Sequence, residues 1–262
     1  MNNDLLSQAL RGARQGVTPT IAPLGSALVV GAGGVLGAAV LAEALVAGRF
    51  SHVKAAVTGP LKSALQGFEP WPAARLDEAA AGPPADTAFI VFERPRHHNG
   101  RDELFMRPAP TALLGLATAL KRLQVRRLLV VIPHAPALLP AALKAGLANL
   151  DETAVAALGF EHLVFIRASQ DSPSGPRLAS ALERFARWWL GQLRWMVPQS
   201  EQPVRAATLA TLAVQLARAL PLAPTGTRVV PQDLLSRAAS ALRPDQVLSD
   251  WLHGRIVPGS PP

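Results

Sequence analysis

The sequence Gly31-Ala32-Gly33-Gly34-Val35-Leu36-Gly37 lies between two segments with different hydrophobic periods. Residues 27–30 before it form a short apolar run, typical of a strand that is buried on both faces. Residues 35–46 after it carry apolar side chains at a helical period. We therefore predict a strand, a glycine-rich turn and a helix in direct succession.

The same alternation continues along the chain. Further strands are predicted at residues 53–57, 88–92, 127–132 and 162–166, and helices at 111–123 and 141–158. Residues 68–84 are rich in proline and have only a weak pattern. Alternating strands and helices favour an α/β fold with a doubly wound parallel sheet, the Rossmann type, and helices on both faces.

The rest of the sequence predicts a small helical extension at the C-terminal side. Residues 176–196 and 203–220 have helical patterns, residues 227–230 resemble a short strand, and helical segments continue to about residue 252. With 262 residues, 49% of them hydrophobic, the chain can bury one large core. We expect a flexible lead-in at 1–24, one domain at 25–255 whose C-terminal helical portion starts at about 176, and a disordered tail at 256–262.

The glycine-rich turn has the features of a dinucleotide-binding turn. Gly31 suits the tight turn, Gly34 the close approach of a pyrophosphate, and Gly37 the packing of the helix. The helix that follows would direct its free N–H groups and its dipole at the phosphates. The predicted cofactor-binding residues are therefore Gly31, Ala32, Gly33, Gly34, Val35, Leu36 and Gly37. A turn that only packs the strand against the helix is the alternative, and it would leave the fold unchanged.

The end of the second predicted strand bears on the choice of nucleotide. An acidic residue there binds the ribose hydroxyls of NAD, whereas a basic residue accommodates the extra phosphate of NADP. Here Thr58 follows the strand, Lys62 is nearby, and no acid is present. We therefore expect NADP, with NAD as the alternative, and add Thr58 and Lys62 to the cofactor-binding residues.

The chain resembles the atypical short-chain dehydrogenases/reductases, in particular the branch similar to the Tat-interacting tumour-suppressor oxidoreductase and its bacterial relatives. The resemblance rests on Gly31, Gly34 and Gly37, and on segments 101–105, 125–130, 152–160, 165–169 and 202–205. It implies an NAD(P)-binding protein whose catalytic residues would be a Tyr-x-x-x-Lys pair and a serine.

The catalytic residues that the resemblance implies are missing. The tyrosine and lysine positions fall near Lys144 and Ala148, residues 132–135 replace the serine, and the chain has no tyrosine. We therefore expect a protein that has lost reductase chemistry and uses the nucleotide structurally or as a sensed ligand. The alternative is an active oxidoreductase with His134 or Lys144 as proton donor, although we favour a strand-end histidine and a surface lysine.

Two other segments could bind ligands or partners. Residues 93–101 form a charged segment after a predicted strand, and they either clamp an anion with their arginines or form an exposed loop. The predicted helix with Trp188, Trp189 and Trp195 either packs on the core, forms a homodimer or protein contact, or inserts at a membrane interface. A nucleotide-free interaction module that uses this helix is therefore a third functional hypothesis.

Composition excludes several other classes of site and partner. The chain has no cysteine, so it has no cysteine-ligated zinc, and His97 and His98 alone supply too few metal ligands. The formal charge of +8 is spread along the chain without a nucleic-acid-binding motif. The apolar run at residues 24–48 has glycines at its centre, which favours a buried strand and helix. We expect no metal site, no nucleic acid, no membrane association and a cytoplasmic location.

Overall fold

The structure is a computed structural model that describes residues 25–46, 48–61, 63, 65–78, 83–93, 103–134, 150–169 and 205–255. Its strands are β1 (Ala27–Val30), β2 (Val53–Val57), β3 (Phe68–Pro72), β4 (Thr87–Val91), β5 (Arg127–His134), β6 (His162–Ser169) and β7 (Gly226–Val230). They form one parallel sheet in the order β3-β2-β1-β4-β5-β6-β7. This order extends the six-stranded Rossmann arrangement by one strand.

Helices cover both faces of the sheet. They are α1 (Val35–Leu45), α2 (Leu113–Arg122), α3 (Leu150–Ala157), α4 (Ala206–Ala219), α5 (Gln232–Ser240) and α6 (Pro244–Leu252). Side chains of α1, α4, α5 and α6 share one hydrophobic core, and those of α2 and α3 share the other. The predicted doubly wound α/β fold is therefore confirmed.

The described C-terminal segment is built into the sheet as well as packed on it. β7 pairs in parallel with β6, so that Gly226 lies opposite His162 and Val230 opposite Ile166. In α4, Leu209 and Ala213 are buried in the same core as Val40 of α1. Residues 205–255 thus pack in the same hydrophobic core as α1, the helix that follows the glycine-rich turn.

Strand β3 was not predicted from the sequence. It falls in the proline-rich segment, and Pro70 and Pro72 lie opposite Ala55 and Val57 of β2. An edge strand tolerates proline because one of its sides needs no N–H donor. Only Trp71 of this strand is buried, which explains the weak hydrophobic pattern.

The order of the strands places several chain segments at one edge of the sheet. β1 lies between β2 and β4, so the connections that leave β1 and β4 diverge there. In α/β sheets of this kind, ligands bind in the crevice at the carboxyl ends of such strands. Among the residues that the structure describes, no helix is long and apolar enough to cross a bilayer.

Candidate functional site

The glycine turn, residues 31–37, leaves the carboxyl end of β1 and begins α1. Gly31 has a φ of +102°, a conformation that residues with a side chain rarely adopt. A β carbon at this position would lie 2.1 Å from the carbonyl oxygen of Val91, at the end of β4. Both the turn and its closeness to β4 therefore require glycine.

Gly37 allows the first turn of α1 to lie against the glycine turn. A β carbon at position 37 would lie 1.8 Å from the carbonyl oxygen of Gly31 and 3.0 Å from the α carbon of Ala32. These neighbours are backbone atoms, which cannot move aside as a side chain can. The packing role predicted for this glycine agrees with its surroundings.

The amino end of α1 binds a carboxylate of the chain itself. Gly34 precedes the helix in an extended conformation and supplies no side-chain cap. The backbone N–H of Leu36 donates to Oε1 of Glu93 at 2.9 Å, and that of Gly37 donates to Oε2 at 3.3 Å. An anion therefore lies at the helix terminus, where the free N–H groups and the dipole favour one.

Gly34 permits this carboxylate to come close. A β carbon at position 34 would lie 1.6 Å from Oε2 of Glu93. The close approach predicted for a pyrophosphate is thus made here by a side chain that follows β4. In the sequence, Glu93 belongs to a charged segment, and because it lies 57 residues from Leu36, no local pattern predicts its place at the helix terminus.

The end of β2 contacts a segment that follows β4 in the chain. The N–H of Thr58 donates to the carbonyl oxygen of Leu104 at 2.8 Å, and its hydroxyl donates to the same oxygen at 3.2 Å. Val57 and Phe105 form an antiparallel bridge, and Met106 donates to the carbonyl of Ala56 at 2.9 Å. Residues 103–106 therefore extend along the β2 end, where the ribose of a dinucleotide is expected.

A buried ion pair lies near the carboxyl end of β6. Arg167 Nη2 donates to Oε2 of Glu152 at 2.8 Å, and the two side chains are 7% and 3% exposed. Glu152 belongs to the first turn of α3, and Arg167 is opposite Ile132 of β5. Buried charges are tolerated when they are paired in this way. In the sequence, both residues were notable only as part of the segments that carry the family resemblance.

The other predicted site residues are only partly placed. His134 is the last residue of β5 and lies opposite Ser169 in the register of the sheet. Lys62, Lys144, His97 and His98 lie outside the described residues. So does the segment Trp188–Trp195, for which a helix was predicted. Within the described ranges, no group of three His, Asp or Glu side chains could hold a metal ion.

No protein-family model and no curated protein matches the chain. Among solved structures, the oxidoreductase ylbE from Lactococcus lactis is 11% identical with a TM-score of 0.41, over 78% of this chain and 89% of that one. Two Bordetella bronchiseptica enzymes were solved with NAD or NAD+. WbmG is 15% identical with a TM-score of 0.42, over 94% and 84% of the chains. WbmH is 13% identical with a TM-score of 0.42, over 88% and 99%.

All three of these structures are at most 15% identical to this chain. The predicted Rossmann-type fold is confirmed by the strand order of this chain itself.

Proposed function

We propose that this chain binds a pyridine dinucleotide at the carboxyl edge of its sheet and uses it structurally or as a sensed ligand. The observation that supports the proposal is the geometry of the glycine turn. Gly31, Gly34 and Gly37 each occupy a position where a β carbon would meet another atom at 2.1 Å or less. Gly31 and Gly34 lie between β1 and α1, and Gly37 lies in the first turn of α1, beside the strand-order reversal where this fold binds nucleotides.

The residues of the turn fit a pyrophosphate once the Glu93 side chain has moved aside. The N–H groups of Leu36 and Gly37 would then donate to phosphate oxygens instead of to the carboxylate. The extended backbone of Gly34 would allow the phosphates to approach without a side chain between them. A bound pyridine dinucleotide supplies a hydride-transfer group, but the chain contains no tyrosine to donate a proton as a phenol.

The end of β2 favours NADP over NAD in this proposal. Thr58 is exposed at this point, and residues 58–62 contain no acid that would bind ribose hydroxyls and repel a 2′-phosphate. The hydroxyl of Thr58 donates to the carbonyl oxygen of Leu104. A nucleotide at this point would have to share the β2 end with residues 103–106 or displace them.

A second candidate is a protein-interaction module that no longer binds nucleotide. The contacts of Glu93 with α1, and those of residues 103–106 with the β2 end, favour it. Both contacts fill positions that a dinucleotide would use. In that case the glycine turn serves only to pack the strand, the helix and the Glu93 carboxylate.

Calorimetric titration of the purified chain with NADPH, NADP, NADH and NAD tests the proposal. A Gly34→Asp variant should lose at least about tenfold in affinity, because a second carboxylate repels phosphate at the helix terminus. Gly115→Asp is the matched control, since a β carbon on Gly115 meets no atom within 4 Å. This control should bind like the wild type.

The two candidates predict different titrations. Binding of one nucleotide that is weakened by Gly34→Asp and not by Gly115→Asp supports the dinucleotide site. If all four nucleotides fail to bind both the wild type and a variant without the Glu93 carboxylate, the dinucleotide proposal is wrong and the interaction module is preferred.

A further inference from the structure

We infer that Glu93 is an internal competitor for the phosphate site and thereby determines how tightly, and which, ligands bind there. This inference rests on the proposed function, because it concerns the same site. The ligand class is a nucleotide or other compound with a pyrophosphate group. Such a ligand binds only by displacing the Glu93 carboxylate from the amino end of α1.

The contacts of Glu93 are those of an anion bound at a helix terminus. Each carboxylate oxygen accepts one backbone N–H, from Leu36 at 2.9 Å and from Gly37 at 3.3 Å. Within the described part of the chain, no lysine or arginine pairs with this carboxylate. Among the groups that the structure describes, it is therefore the helix terminus that stabilises this negative charge.

A pyrophosphate and the carboxylate cannot bind together. Both need the same two N–H groups. The Oε2 atom of Glu93 lies only 1.6 Å from the position that a β carbon of Gly34 would occupy, so the carboxylate already fills the space beside Gly34. Two anions at the same helix terminus would also repel each other strongly in a partly buried site. Binding of one therefore requires departure of the other.

Release of the carboxylate requires only the side chain to move. Phe92, the preceding residue, is 1% exposed, and its N–H donates to the carbonyl oxygen of Val131 at 2.9 Å. The backbone is thus fixed to the sheet directly before Glu93. Rotation of the Glu93 side chain would free the helix terminus without disrupting β4.

Competition also predicts selectivity. A ligand gains the two N–H groups but must first break the two hydrogen bonds of the carboxylate. A pyrophosphate, with more charge than a carboxylate, can exchange favourably at a helix terminus. A ligand without phosphate has no group to replace the carboxylate, so the site should exclude nucleosides.

The test is calorimetric titration of the wild type, Glu93→Gln and Glu93→Ala with NADP, inorganic pyrophosphate and adenosine. Glu93→Gln keeps the size and a hydrogen-bond acceptor but loses the charge, and it remains informative if Glu93→Ala does not fold. Glu161→Gln is the matched control, because the side chain of Glu161 is 43% exposed and the residue directly precedes β6, at the edge of the sheet opposite the α1 amides. Thermal unfolding shows that each variant is folded.

Both Glu93 variants should bind NADP and pyrophosphate at least about tenfold more tightly than the wild type, and Glu161→Gln should bind like the wild type. Adenosine should bind none of them. A wild type that binds NADP as tightly as both Glu93 variants would overturn the inference and leave the proposed function intact. Absence of NADP and pyrophosphate binding in every folded variant would refute the proposed function and the inference together.

Discussion

The position of Gly37 relative to the carbonyl oxygen of Gly31 leaves no room for a side chain, since a β carbon there would lie 1.8 Å from that oxygen. We predict that Gly37→Ala lowers the free energy of unfolding by about 1–3 kcal/mol, because it overpacks a site bounded by backbone atoms. Urea unfolding of the variant and the wild type measures this difference.

Gly115→Ala is the control for this prediction. Gly115 lies in α2, where a β carbon meets nothing within 4 Å. Alanine should raise the free energy of unfolding there by about 0.5–1 kcal/mol. Equal effects of the two substitutions would show that backbone contact does not restrict position 37.

His162 should make the stability depend on pH. It is buried at the start of β6, and burial lowers its pKa below 6.5, with further lowering by the positive charges of Arg228, Arg127 and Arg126 against the opposing effect of Glu161. The unfolded chain therefore takes up a proton at higher pH than the folded chain. The contribution of His162 to the free energy of unfolding is fully present above about pH 6.5. It decreases as the pH falls towards the folded-state pKa, by at most about 1.4 kcal/mol per pH unit.

To isolate the effect of this histidine, we would measure the free energy of unfolding of the wild type, His162→Gln and His52→Gln between pH 5 and 8. The contribution of His162 should disappear in His162→Gln and persist in His52→Gln, whose substituted residue is exposed. An unchanged pH slope in His162→Gln would contradict the prediction.

Removing one partner of the buried pair Glu152–Arg167 should destabilise the fold more than replacing both partners. Arg167→Met alone, or Glu152→Leu alone, leaves one charge without this partner and should lower the free energy of unfolding by about 3–5 kcal/mol. The double substitution leaves neither of these two charges without the other and should recover part of that loss. A double-mutant cycle by urea unfolding measures the coupling. Strictly additive losses would show that the two charges do not stabilise each other.

Thr58→Asp should change the preference between the two nucleotides if the proposed site binds them. A carboxylate at the end of β2 would repel the 2′-phosphate of NADP and could bind the ribose hydroxyls of NAD. We expect NADP affinity to fall by about tenfold relative to NAD affinity. Thr58→Ser keeps a hydroxyl that can donate to Leu104, as Thr58 does, and should leave the ratio unchanged. Titration of both variants with NADP and NAD tests the prediction, and an unaltered ratio in Thr58→Asp would place the ribose elsewhere.

The elements that were predicted best are those whose signal is local. β1, the glycine turn and α1 follow one another directly, and the four residues of β1 are all buried, so the run of apolar residues identifies the strand without knowledge of its neighbours. β3 was missed for the opposite reason. Pro70 and Pro72 oppose a strand assignment unless the strand is known to lie at an edge, and that depends on its pairing with β2.

In the candidate site, too, some features follow from the local sequence and others only from tertiary contacts. The sequence by itself determined the turn of three glycines, its place before a helix and the absence of a phenol, because these depend on residue type and on neighbours in the chain. Only the tertiary structure decided that Glu93 binds the amino end of α1, that residues 103–106 pair with the β2 end, and that Glu152 meets Arg167. These contacts join residues 15 to 57 positions apart, and it is the packing of strands and helices, rather than any local pattern, that brings such residues together.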